Sequence, residues 1–126
     1  FRFDLMEVFK IMASVTFENV TKRFDDTELV KNLNRTIADK EFVVLDGPSG
    51  CGKSTTSAMI MRLVDSTAGW IEFDGKDIGS VPAKHFARSP LRSKLQMVFQ
   101  DPTDCLNPRF TARQSISDPV VVLGGQ

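Results

Sequence analysis

The run Gly47-Pro48-Ser49-Gly50-Cys51-Gly52-Lys53-Ser54-Thr55 constrains this chain more than any other stretch. It spells G-x-x-x-x-G-K-[ST], a loop that wraps peptide N–H groups around an anion when a strand precedes it and a helix follows. The apolar Phe42-Val43-Val44-Leu45 predicts a buried strand just before it, and Lys53 to about Val64 predicts the helix just after. Strand, phosphate loop and helix in that order define an α/β nucleotide-binding unit.

Each residue type in the loop has a physical job. Gly47, Gly50 and Gly52 can take positive φ and put no side chain in the way of a pyrophosphate. The amides of the loop, Ser49 and Cys51 included, can then form a nest around the β-phosphate. Lys53 would place its ammonium between the β- and γ-phosphates. The Ser54 hydroxyl would coordinate Mg²⁺, a cation that prefers oxygen ligands and keeps several waters. Thr55 is placed for the α-phosphate. Cys51 carries two readings: a thiolate favoured by the helix start and Lys53, open to oxidation or alkylation, or a small residue contributing only its N–H.

Composition narrows the classes. The 126 residues allow one domain at most, and sixteen basic against sixteen acidic side chains leave no net field to attract nucleic acid. Two cysteines far apart, one of them in the loop, predict reduced thiols and a cytoplasmic setting. No apolar stretch approaches the roughly 20 residues that cross a bilayer, and Phe1-Arg2-Phe3-Asp4 has no signal-peptide pattern.

Along the chain, Phe1, Leu5, Val8, Phe9 and Met12 share one face of a helical wheel, readable as a membrane-surface or partner-binding helix. The other reading makes residues 1–12 an extension upstream of a natural start at Met12-Ala13-Ser14. Val15 to Val20 alternates as a half-buried strand, Asp25-Asp26 makes a turn, and Leu29 to Ile37 predicts a second strand. Trp70 to Phe73 predicts another strand, with a hairpin turn at Asp74-Gly75. Pro82 to Arg92 reads as a basic loop with a short helix, Leu95 to Phe99 as a strand, and Thr111 to about Ser117 as a helix.

In this order the pieces resemble the N-terminal half of an ABC-transporter ATPase subunit, a P-loop NTPase fold with an antiparallel β portion. Val20-Thr21-Lys22-Arg23-Phe24 looks like the family's first strand, with Phe24 as its adenine-stacking aromatic; the other reading puts Phe24 in the core. GPSGCGKST is a spelling typical of importers. Val98-Phe99-Gln100-Asp101-Pro102 looks like the Q-loop, which implies that Gln100 reaches Mg²⁺ and the attacking water. Residues 15–78 are similar to sugar-importer ATPases of the maltose type, and residues 90–121 to oligopeptide and dipeptide importers, with the join near 77–90. The resemblance implies ATP and Mg²⁺ as ligands, a transmembrane permease and a second ATPase subunit as partners, and a place at the inner membrane's cytoplasmic side. It also implies that residues 13–126 are part of a nucleotide-binding domain.

The departures bear on turnover. Walker B, its catalytic glutamate and the switch histidine come later in the family pattern than the residues matched. Phe42 to Asp46 has the shape of four apolar residues and an acid, but it is the phosphate-loop strand itself. Asp46 stands where the family usually has an apolar residue, and its carboxylate would repel a triphosphate unless turned away or paired. Leu123-Gly124-Gly125-Gln126 mimics most of LSGGQ, which works at a helix N-terminus, but it follows Gln100 too closely and reads as coincidental. His85 lies in the basic loop and reads as a solvated surface residue. The sequence therefore supports an ATP-binding half-domain with impaired hydrolysis, or a non-enzymatic chain that binds nucleotide weakly or folds only with a partner. A P-loop kinase or GTPase fits less well, because no N-K-x-D motif occurs.

Overall fold

A computed structural model describes residues 7–10, 13–99 and 105–124. An antiparallel sheet begins with β2 (Val15–Phe24) and β3 (Thr27–Ile37), joined at Asp25-Asp26 as the sequence predicts. On the other side of β2 lies β5 (Ala68–Phe73), continued through Asp74-Gly75 into the short β6 (Lys76–Asp77), for a spatial order β3-β2-β5-β6. Alternation builds the core: Val15 pairs with Phe73 and Phe17 with Ile71, and all four side chains are buried. Val20, Ile37, Met59, Ile60, Met61, Ile78 and Phe86 are among the other buried apolar side chains. Burying each large apolar side chain is worth roughly 1.5–3 kcal/mol.

The sheet carries a bulge. The register of β2 shifts between Phe17 and Val20 against β3, and between Glu18 and Thr21 against β5. Asn19 sits there at φ 49°, and Asn34 satisfies it: Asn34 Oδ1 accepts the Asn19 N–H at 2.9 Å and Asn34 Nδ2 donates to Asn19 Oδ1 at 3.2 Å. Gly69 faces the bulge at φ +87°, where a Cβ would meet Asn19 O at 2.3 Å.

The strand before the phosphate loop, β4 (Phe42–Leu45), pairs antiparallel with β1 (Glu7–Lys10), with Glu7 opposite Leu45 and Lys10 opposite Phe42. This corrects two expectations. Residues 7–10 are a strand, so a helical wheel does not describe them; residues 1–6 and 11–12 lie outside the described set. The expectation of a buried β4 also fails, because Phe42 is 61% and Val44 38% exposed. A run apolar at every position is buried only when both faces are covered. Among the described residues β1 is the single ladder partner of β4.

Helix α1 (Lys53–Ile60) is shorter than the sequence predicts. Arg62 adopts φ +55°, its N–H donates to Met59 O at 3.1 Å, and the Leu63 N–H reaches back to Ala58 O at 2.9 Å. That pair of bonds is a left-handed helix stop, a position glycine usually takes. Arg62 is nonetheless buried. Its Nη2 donates to Asp65 Oδ1 at 2.5 Å and to Val81 O at 2.6 Å. Asp65 Oδ1 in turn accepts the Ala83 N–H at 3.0 Å at the start of the four-residue helix α2 (Ala83–Phe86).

The chain up to Phe86 is one compact unit and the chain from Ala87 a second. In the second unit a 3₁₀ turn spans Pro90–Lys94, opened by Ser89, whose Oγ accepts the Leu91 N–H. Residues 95–99 form no ladder, contrary to the predicted strand, and Val98 is 95% exposed. An apolar alternating run becomes a strand only if another strand takes its N–H and C=O groups. Helix α3 (Ala112–Gly124) starts where the sequence predicts but runs past Ser117 and through Pro119. A reciprocal capping box opens it: Thr111 Oγ1 accepts the Gln114 N–H and Gln114 Oε1 accepts the Thr111 N–H.

Candidate functional site

The phosphate loop leaves β4 at Asp46 and enters α1 at Lys53. Gly52 is the N-cap of that helix at φ +93°, and no side chain caps the helix start. The first-turn amides, which have no intrahelical acceptor, therefore face the loop with the positive end of the helix dipole behind them. Gly52 is glycine for two reasons. Its φ is left-handed, and a Cβ would lie 2.5 Å from Leu29 O and 3.0 Å from Val30 Cγ2, on the strand β3 that crosses the loop. Thr56 clamps the same turn from inside, both its N–H and its Oγ1 bonding Gly52 O.

Lys53 is 9% exposed and points into the loop. Its ammonium donates to Gly47 O at 2.5 Å and Pro48 O at 2.9 Å, with Cys51 Sγ at 3.5 Å. The cation is thus held within the curl of the loop, where a phosphate would compete with those carbonyl oxygens. Ser49, Gly50, Cys51 and Ser54 are exposed and Thr55 is half-buried. Asp46 is paired with the loop itself: its Oδ1 accepts the Gly47 N–H at 2.8 Å. Cys51 is a free thiol in contact range of Gly47, where a Cβ would lie 2.8 Å from Sγ.

Phe24 ends β2 at the hairpin tip and is 44% exposed, so the reading that puts it in the core is wrong. The register brings it near the loop: Lys22 pairs with Val30, the same residue that abuts Gly52, and Phe24 lies two residues further on. Two residues of strand span about 7 Å. Sequence reasoning passed over two residues here. Lys22, whose Nζ lies 4.7 Å from the Phe24 ring centroid, could have been found from the period-2 spacing. The buried Arg62 could not, since nothing local marks an arginine as a helix stop.

The remaining candidates divide. Gln100 lies outside the described residues. Leu123-Gly124 forms the C-terminal end of α3, the opposite dipole end from the one a signature loop uses, and Gly125 and Gln126 lie outside the described residues. His85 is exposed on α2, as predicted. Among the described residues no cluster of three or more His, Cys, Asp or Glu could hold a metal, and no helix is long and apolar enough to cross a membrane.

A phosphate loop on a strand–helix junction beside an antiparallel sheet defines a P-loop NTPase architecture. Residues 30–121 match the ABC transporter family, and the chain belongs to it. It is 44% identical over 91 residues to a probable peptide ABC transporter ATP-binding protein, y4tS, of Sinorhizobium fredii, covering 72% of this chain and 25% of that one. It is 38% identical over 112 residues to the trehalose import ATP-binding protein SugC of Mycobacterium tuberculosis, covering 88% of this chain and 26% of that one. The chain spans about a quarter of the length of the curated relatives it matches. Its fold matches the dimeric structure of MJ0796, a bacterial ABC transporter cassette, with a TM-score of 0.64 at 23% identity, over 86% of this chain and 47% of that one.

Proposed function

We propose that this chain binds Mg²⁺-ATP as the phosphate-loop part of an importer ATPase. The observation that carries the reading is Lys53, buried inside a glycine loop at an uncapped helix start. Ser49 to Gly52 would supply amides to the β-phosphate, Lys53 its charge between β and γ, and Thr55 a contact to the α-phosphate. Ser54, exposed on the first turn, would give Mg²⁺ one oxygen, with phosphate oxygens and water completing the shell. Phe24 would stack on the adenine, and Gln100 would address the metal and the attacking water. Residues 13–126 would be the nucleotide-binding segment and residues 1–12 an extension.

In the cell the segment would work with a permease and a second ATPase subunit at the cytoplasmic face of the inner membrane. Its cargo would be a sugar or a peptide, the two classes named among its relatives. Turnover by these 126 residues would be slow. Hydrolysis needs a positioned base, worth about 10²–10⁴ in rate, and the acid adjoining the loop, Asp46, is engaged with Gly47.

The exposed Phe42 and Val44 favour a second reading, in which the chain is a nucleotide binder that needs further strands or a partner against β4. Titration with Mg²⁺-ATP, run beside a phosphate-release assay, tests the main one. Lys53→Ala is expected to weaken binding about ten- to hundredfold, the worth of hydrogen bonds to a charged group. Tight binding that survives Lys53→Ala removes the phosphate-loop argument. Binding seen only after a partner is added favours the second reading.

A further inference from the structure

Phe24 does not stand alone at the hairpin tip. Positions two apart on a strand share a face, and Lys22 Nζ lies over the Phe24 ring, 4.7 Å from its centroid. The ammonium is held there by a second contact, donating to Asp65 O at 2.7 Å in the turn after α1. That turn grips the hairpin at two more points: the Arg23 N–H donates to Thr67 Oγ1 at 3.0 Å, and the Thr67 N–H donates to Thr21 O at 2.8 Å. The cation is therefore tethered to the segment that follows the phosphate-loop helix.

A phenyl ring has two faces, and a planar ligand needs one. With Lys22 over one face and Phe24 44% exposed, the opposite face is the one a planar ligand could take. The charge also acts through the ring. A cation draws π density toward itself, so the opposite face becomes less negative and stacks better on an electron-rich heterocycle. A purine offers more of that surface than a pyrimidine. We propose that Lys22 is a specificity-determining residue of the nucleotide site, fixing Phe24 as a one-sided platform that selects a purine base. The inference rests on the reading of Phe24 as the base platform.

The test compares ATP, CTP and inorganic tripolyphosphate as ligands, measured by competition against a fluorescent nucleotide. The proteins are the full chain and its Lys22→Met, Lys22→Arg and Phe24→Ala variants. Lys22→Met is expected to lower ATP affinity and the ATP-to-CTP ratio roughly two- to fivefold, the range of an exposed cation–π contact. Tripolyphosphate binding should stay unchanged, which also shows the variant is folded, and Lys22→Arg should restore the ratio. If Lys22→Met weakens ATP and tripolyphosphate alike, or leaves the ratio intact while Phe24→Ala lowers it, Lys22 has no such role and the platform stands. If Phe24→Ala leaves ATP and tripolyphosphate affinities in their parent proportion, the platform reading fails and takes this inference with it.

Discussion

Replacing Gly52 by alanine separates two demands that one glycine meets. At φ +93° an L-residue costs about 1–2 kcal/mol in backbone strain. The new Cβ would lie 2.5 Å from Leu29 O and 3.0 Å from Val30 Cγ2. Leu29 O belongs to the backbone of β3 and has no rotamer to escape into, so relief means moving the strand. Forced overpacking of this kind costs about 1–3 kcal/mol, and the sum for Gly52→Ala is about 2–5 kcal/mol. Gly50→Ala is the internal control. Its φ is +81°, yet nothing lies within 4 Å of an added Cβ, so it carries the strain without the collision. The gain from a stiffer unfolded chain is common to both variants and cancels in the comparison. Urea unfolding followed by circular dichroism measures the difference, expected at about 1–3 kcal/mol between the two. Equal midpoints and slopes for Gly50→Ala and Gly52→Ala would refute the claim that β3 is pressed against the phosphate loop.

Other consequences are separable from that one. Arg62 is buried with Nε and Nη1 unpartnered among the described residues, so Arg62→Met should fall within about 1 kcal/mol of the parent. Both variants leave Val81 O without its donor, but Arg62→Ala also opens a cavity and should cost about 2–4 kcal/mol; the reverse order in chemical denaturation would contradict this account. Asp46→Asn keeps an acceptor for the Gly47 N–H while removing a negative charge beside the proposed triphosphate site. Mg²⁺-ATP should then bind roughly two- to fivefold more tightly at low salt, converging with the parent as salt rises, as titration at two ionic strengths would show.

The local elements were largely legible in the sequence. Alternation in Val15–Val20 and Trp70–Phe73 marks the sheet, Asp25-Asp26 and Asp74-Gly75 mark its turns, and a helix is read from Thr111. These signals depend on neighbours a few residues away, so the chain carries them whatever the fold does. Where a signal needs a distant partner, the reading failed. The apolar pattern of Phe42–Leu45 says that cover is wanted, but not that, among the described residues, β1 alone would pair with it. The pattern of Leu95–Phe99 says strand, and no ladder forms.

The phosphate loop shows the same division at one site. Its spelling alone predicted that a glycine turn would open a helix and that Lys53 would stand at the join, where the structure buries it against the loop carbonyls. Tertiary structure decided the rest: that β3 crosses Gly52, that Asp46 folds onto Gly47, that Phe24 faces out with Lys22 on its ring, and that Arg62 stops the helix. A motif encodes the conformational freedom and chemistry of its own residues. Which groups surround it depends on contacts between segments remote in sequence, and those exist only once the sheet has closed.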